Sequence, residues 1–395
     1  MSKFSKQVVT LLSVLLVFSL MFAGCNTAPA TTNEPAAEAP AVEEPAVEAA
    51  AEEVEQVEEV SEAAGKTSDI SIALLDGSNG NAWRAQMESE MSEYIDELKA
   101  AGVVSKYTAY SANDDATTQS QQMSQLINGG ETDVILVNPV SATSLNPMID
   151  KAIENGILVL GIDQVISHGG IVSVTTDQAG WARIQAEHLV NELGGKGNIV
   201  IFNGIAGYPA SDMRTAAYHE VLDQYPDITI LKEVDHDWDE GKAKQLMLTM
   251  LSAYPQIDGI LNQECSPGII SAYDEAGVAL PKVISSDESI NYLRLWSDYN
   301  KANPDSKLNG IIVANPPGIG VTAIKVAVQL MAGNTLNDEV LTAVDAESKN
   351  ALLLQPNLVI TNDNLDEWIE QTTDAPETYT FSNCLSDEEI AALFE

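Results

Sequence analysis

Leu158-Val159-Leu160-Gly161-Ile162-Asp163 is apolar up to its last residue, which is a carboxylate. A run this short, with no polar alternation, reads as a β-strand covered on both faces. It belongs to a series of short β-rich runs, Ile70–Leu75, Asp133–Val137, Ile157–Ile162, Ile171–Thr175, Asn198–Phe202, Gly259–Leu261, Val283–Ser286 and Gly310–Val313, several of them continuously apolar. Segments with helical spacing lie between these runs. Trp83, Met87, Met91, Tyr94, Ile95 and Leu98 mark one helical face, and Ala243, Leu246, Met247, Met250 and Leu251 mark another. Strands alternating with amphipathic helices predict an α/β protein built on doubly wound parallel sheets.

The residue after each strand carries the functional signal. The first strand leads to Asn79 and Asn81; the others run into Asn138, Asp163, Thr176-Asp177, Asn203, Asn262, Asp287 and Asn315. Open α/β sheets bind ligands in the crevice outside the carboxyl ends of their strands. Asn and Asp also cap helices and shape turns, so Asn138-Pro139 and Asn203-Gly204 are read as turns. The set as a whole predicts a polar ligand held at strand ends.

Composition narrows the class. Nineteen basic and 59 acidic residues give the 395-residue chain a formal charge of −40. Such a polyanion neither neutralises phosphates nor adheres by charge to an anionic leaflet, which excludes nucleic-acid binding and polybasic membrane association. Three cysteines, Cys25, Cys265 and Cys384, do not make a disulfide scaffold. Cys265 and Cys384 are read either as a pair formed in an oxidising compartment or as a buried thiol and a tail thiol.

The N-terminus reads as an address. Lys3 and Lys6 precede an apolar run from Val8 to Ala23 that ends in Gly24-Cys25. This is the layout of an export signal, and the run is short for a membrane span. Residues 26–67 hold eleven Glu, twelve Ala and four Pro with no aromatic residue, so they predict an extended acidic tether.

Phe22-Ala23-Gly24-Cys25 resembles the lipobox of bacterial lipoproteins, with Phe22 where Leu is usual; the resemblance implies acylation of Cys25. From Ile70 to about Ile360 the chain resembles bacterial periplasmic sugar-binding proteins of the ribose- and galactose-binding type. Ser78-Asn79-Gly80-Asn81-Ala82-Trp83, Val137-Asn138-Pro139-Val140, Leu158 to Asp163, Gly204-Ile205-Ala206-Gly207 and Ile284 to Asp287 carry it, in that order. The resemblance implies two Rossmann-like lobes joined by a three-strand hinge, with crossings near Thr176, Asn315 and Leu352. The first lobe would comprise residues 68–176 and 316–351, and the second residues 177–315 and 352–395. Transcription regulators share these lobes but carry a helix-turn-helix ahead of the first strand, where this chain has a signal and a tether.

The resemblance also implies a site. Trp83 and Trp238 stand where the family places aromatics that stack on sugar C–H faces, each with a core-anchor reading beside it. The polar set carried over is Asn81, Asp163, Arg214, Asn262 and Asp287. Asp163 ends an apolar strand, so its carboxylate needs partners that sugar hydroxyls would supply. Three positions depart from ribose binders: Arg84 replaces a second aromatic, Gln164 replaces an Arg, and Asn315 stands near the last crossing in place of a Gln. Hexose, pentose and polyol remain equally open. The expectation is a monomeric lipoprotein of an ABC importer, delivering its ligand to permease and ATPase subunits. A sensor docking on a chemoreceptor or histidine kinase is the alternative, and a secreted hydrolase the third reading. No cofactor is expected. The scattered histidines lack zinc spacing, and neither a nucleophile elbow nor a Cys–His pair is present.

Overall fold

The computed structural model describes residues 65–78, 80–285, 289–343 and 348–395. Cys25 with the expected signal, most of the tether, Asn79 and Asp287 lie outside the described residues. The first lobe opens with β1 (Ile70–Asp76), α1 (Ala82–Ala100), β2 (Val104–Ser111), α2 (Ala116–Gly129) and β3 (Val134–Asn138). It continues through α3 (Asn146–Glu154), β4 (Leu158–Ile162) and β5 (Val172–Thr176). The second lobe follows with α4 (Gln178–Leu193), β6 (Gly197–Asn203), α5 (Pro209–Leu222), β7 (Ile228–Asp235) and α6 (Glu240–Ala253). Then come β8 (Gly259–Asn262), α7 (Ser266–Ala276), β9 (Val283–Ser285), α8 (Ile290–Ala302) and β10 (Asn309–Val313). The chain returns to the first lobe for α9 (Ile319–Met331), β11 (Leu341–Ala343) and β12 (Lys349–Leu354). It crosses again for β13 (Val359–Ile360) and α10 (Leu365–Gln371), and ends as α11 (Asp387–Ala391).

Among the described residues the first sheet has the order β11-β12-β5-β4-β3-β1-β2, and the second β13-β10-β9-β8-β6-β7. Pairing is parallel except at the edges, where β11 and β13 run antiparallel to their neighbours. Every residue of β1 and β3 is buried, as a strand roofed by helices on both faces requires. The apolar stripe of α1 supplies buried Trp83, Met87, Met91 and Ile95, which share a core with Ile319, Ala323 and Ile324 of α9. Each such side chain removed from water contributes roughly 1.5–3 kcal/mol.

In the second lobe β10 passes directly over Trp296 of α8. A Cβ added at Gly310 would lie 2.6 Å from the Trp296 ring atoms Cδ2 and Cε2 and 2.8 Å from the Tyr292 hydroxyl. Both aromatics are fully buried and have nowhere to retreat. Gly310→Ala is therefore expected to cost about 1–3 kcal/mol through overpacking, read as a fall in thermal midpoint. An unchanged midpoint would show that the ring can shift.

The domain boundaries expected from the sequence are corrected at two places. Ala351–Leu354 pair in register with Ser173–Thr176, so Leu352 remains a first-lobe strand residue and the third crossing comes after Leu354. The terminal residues do not stay with the second lobe either. Thr380 bridges to Ser289 there, and Phe381 sits in the second core. Leu385, Ile390, Leu393 and Phe394 then pack into the core of the first lobe. This fourth crossing is fastened to α1 and α9. Gln86 and Thr380 exchange two hydrogen bonds of 2.8 and 2.9 Å, Ser382 Oγ donates to Glu90 at 2.7 Å, and the Leu385 amide donates to Thr322 Oγ1 at 3.1 Å. Burial of the terminal apolar residues drives the return. Cys265 is buried in the second core and Cys384 is exposed on the crossing tail.

Candidate functional site

The carboxyl ends of both sheets face one crevice, and the helices that follow them present their first turns to it. Asn81 caps α1, accepting the Arg84 amide at 2.9 Å, and so aims Trp83 and Arg84 inward. The Trp83 indole N–H donates to the Asn315 carbonyl at 2.6 Å, joining α1 to the segment after β10. Asp163 follows β4 with φ of +61°, a left-handed backbone that Asp tolerates. Its carbonyl accepts from Thr175 Oγ1, and its buried carboxylate accepts from Asn315 Nδ2 at 3.2 Å.

A polar chain crosses from there into the second lobe. Gln178 Nε2 donates to Asn315 Oδ1 at 3.2 Å, and Gln178 Oε1 accepts Arg214 Nε at 2.7 Å. The Arg214 guanidinium stacks 3.9 Å from the Trp181 ring centre, a cation–π contact that sets its plane. Gln164 Oε1 accepts the Ala210 amide at 2.9 Å, a second direct tie between lobes.

Eight residues singled out from the sequence line a single cavity: Asn81, Trp83, Arg84, Asp163, Gln164, Arg214, Trp238 and Asn315. Trp181, Ala210, Gln263 and Glu264 complete the lining. The cavity holds about 440 Å³ of atom-free space, counting its open mouth. A second hollow lies outside a wall made by Asn81, Arg84 and Trp238. Two guanidiniums face two carboxylates, Asp163 and Glu264, so the lining itself is balanced in charge. Such a set offers charge-assisted donors and acceptors to a neutral, hydroxyl-rich guest, while the indoles offer faces to its C–H groups.

Asn262 is corrected. It ends β8 as expected but stands outside the cavity lining, fully buried. Its Nδ2 donates to Ser266 Oγ at 2.9 Å, and its Oδ1 pairs with His236 Nε2 at 3.1 Å. Burial pushes the His236 pKa down to about 4, so the ring is neutral at pH 7. Nδ1 accepts the Trp238 amide at 2.9 Å, which leaves the proton on Nε2. Asn262 thus holds His236, and His236 holds the left-handed turn at Asp237 and Trp238, with φ of +57° and +53°. Gly204 completes this seat, since a Cβ there would stand 2.3 Å from the Trp238 ring.

Four lining residues, Trp181, Ala210, Gln263 and Glu264, were missed in the sequence, and so was Asp76 behind them. Trp181 lies in the first turn of α4, four residues after the cap Asp177, whereas Trp83 is two after Asn81; an Asx cap with a Trp close behind it was the available signal. Asp76, the last residue of β1, is buried and forms an ion pair with Arg84 Nη1. Burial outweighs the attraction of Arg84 and raises the Asp76 pKa to about 6. Its position at a strand end was the sequence clue.

Comparisons with known proteins give the family and the fold. Residues 72–335 match the periplasmic binding protein domain family. The chain is 30% identical over 264 residues to the xylitol-binding protein of Mycolicibacterium smegmatis, covering 66% of this chain and 70% of the relative. The fold superposes on an ABC transporter solute binding protein from Thermobispora bispora with a TM-score of 0.70 at 23% identity, covering 81% of this chain and 93% of that one. A solute binding protein from Bacillus halodurans with bound myo-inositol superposes with a TM-score of 0.63 at 20% identity, covering 78% and 99%.

Proposed function

The chain belongs to the periplasmic binding protein family, and from that premise we propose that it captures a monosaccharide or polyol outside the cytoplasm for an ABC importer. One observation carries the ligand class: Arg84, Asp163, Arg214, Asn315 and three indoles converge on a single interlobe cavity with balanced charge. Hydroxyl groups take both donors and acceptors from this set, and a ring or extended carbon chain lies against the indoles. The xylitol-binding relative favours a polyol or pentose within that class.

The output is a conformation rather than a reaction. Ligand bridging both lobes shifts the hinge equilibrium toward the closed form, by as much as its affinity differs between the two states. Permease and ATPase subunits would read that closed form. Acylation of Cys25 would hold the protein at the outer face of the membrane, with the acidic segment as spacer.

Calorimetry of the purified protein against pentitols, hexitols, aldopentoses, aldohexoses and amino acids tests the reading. At least one polyol or sugar is expected to bind with a Kd in the low micromolar range or tighter, and amino acids not at all. Heat released by amino acids or peptides alone would overturn it.

A further inference from the structure

A set of interlobe contacts lies outside the ligand-lining atoms. Tyr208 caps α5 on the second lobe, is buried, and does not line the cavity. Its hydroxyl donates to Asp114 Oδ1 at 2.5 Å, and Asp114 belongs to the loop after β2 on the first lobe. The carboxylate is fixed in advance by its own lobe. Ser78 Oγ donates to Asp114 Oδ2 at 3.2 Å, the Asp114 amide donates to the Gly77 carbonyl at 2.8 Å, and Asn113 and Asp114 hold φ of +48° and +63°. The acceptor therefore stands ready before the lobes meet.

We infer that Tyr208 and Asp114 form a latch that holds the lobes shut and sets how fast bound ligand escapes. The inference rests on the solute-capturing reading only for its second half. The Tyr208 ring meets Trp238 edge-on at 5.7 Å, and the Arg84 guanidinium lies 5.9 Å from its centre. Two cavity-lining side chains therefore brace the ring that carries the latching hydroxyl. A guest that orders Trp238 and Arg84 also orders the latch, coupling occupancy to closure. Two residues after Tyr208, the Ala210 amide donates to the Gln164 side chain, a tie between lobes that belongs to the cavity lining itself. A hydrogen bond to a carboxylate is stronger than one between neutral groups, and here it joins a buried hydroxyl to an exposed carboxylate.

The test needs no ligand for its first arm. Spin labels on the exposed positions Gln121 of α2 and Ala216 of α5, with Cys25 and Cys384 replaced by Ser, report interlobe distance in the otherwise whole protein. Tyr208→Phe is expected to raise the open-to-closed ratio about tenfold, corresponding to about 1.4 kcal/mol. Asp114→Asn should shift it in the same direction, and the double variant should open no further than the stronger single one. Tyr208→Phe with the wild-type distance distribution, wild-type protein found wholly open, or additive effects in the double variant would each overturn the latch. In the second arm, release of the tightest ligand in the calorimetric panel should quicken about tenfold in Tyr208→Phe with little change in the association rate. An unchanged release rate would overturn the kinetic half. If no panel member binds, the solute-capturing reading fails while the distance measurement still decides the latch.

Discussion

Asp163→Asn is expected to weaken ligand binding roughly 100-fold while leaving the thermal midpoint within a few degrees of wild type. The substitution preserves size and suits the backbone, because Asn occupies the left-handed region as readily as Asp at φ of +61°. The lost property is the charged acceptor. Asp163 lines the cavity and receives Asn315 Nδ2, with lone pairs remaining for ligand hydroxyls. An amide there keeps one acceptor and turns a donor toward the guest or toward Asn315. Calorimetry beside thermal unfolding separates the two effects. Affinity within about threefold of wild type would remove Asp163 from the binding set.

Arg84→Met is expected to destabilise the fold by roughly 3–5 kcal/mol at pH 7.5, since it strands the buried Asp76 carboxylate without its cation. The pH dependence has a definite sign. With Arg84 in place, the folded-state pKa of Asp76 is about 6 against an ordinary 3.8, because burial disfavours the charge. Removing the guanidinium removes an interaction that lowers this value, so the folded pKa rises further. A proton held more tightly by the folded state stabilises it at low pH, and that contribution is lost as pH rises through the folded pKa. The variant should therefore recover part of its thermal midpoint between pH 7.5 and 5. Adding Asp76→Asn should restore stability at pH 7.5 without acidification. Equal destabilisation at both pH values, with no rescue by the second change, would assign the loss to packing alone.

The parallel-sheet architecture was readable because buried strands announce themselves as unbroken apolar runs, and Asp163 stood out as a charge at the end of one. Strands β2 and β7 escaped notice because they are edge strands with mostly half-buried or exposed residues, whose polar side chains blunt the sheet margin. Within the site, Trp83 and Arg214 came from the family resemblance and Arg84 as a departure from it, and Arg214 lies in the second turn of α5 rather than at the helix start read for it. Asn262 was misplaced because a strand-end Asn looks the same whether it faces a ligand or anchors a neighbouring loop. Only the His236 ring beneath Trp238 distinguishes the two. Asp76 was hidden for a related reason, since its significance comes from Arg84 eight positions later folding back onto it. The fourth crossing was obscured because the apolar residues that drive it, Leu385, Ile390 and Leu393, are sparse in a strongly acidic tail.

That tail has a mechanical consequence. Thr380 is pinned to Ser289 on one half of the molecule and Leu385 to Thr322 on the other, so once the bonds of Thr380 to Gln86 and of Ser382 to Glu90 part, only the short span between the two pins can pay out. Fully drawn, five residues reach about 17 Å. While both fastenings hold, the gape has a hard stop at that side, and swivelling about any axis that would overstretch the span is excluded.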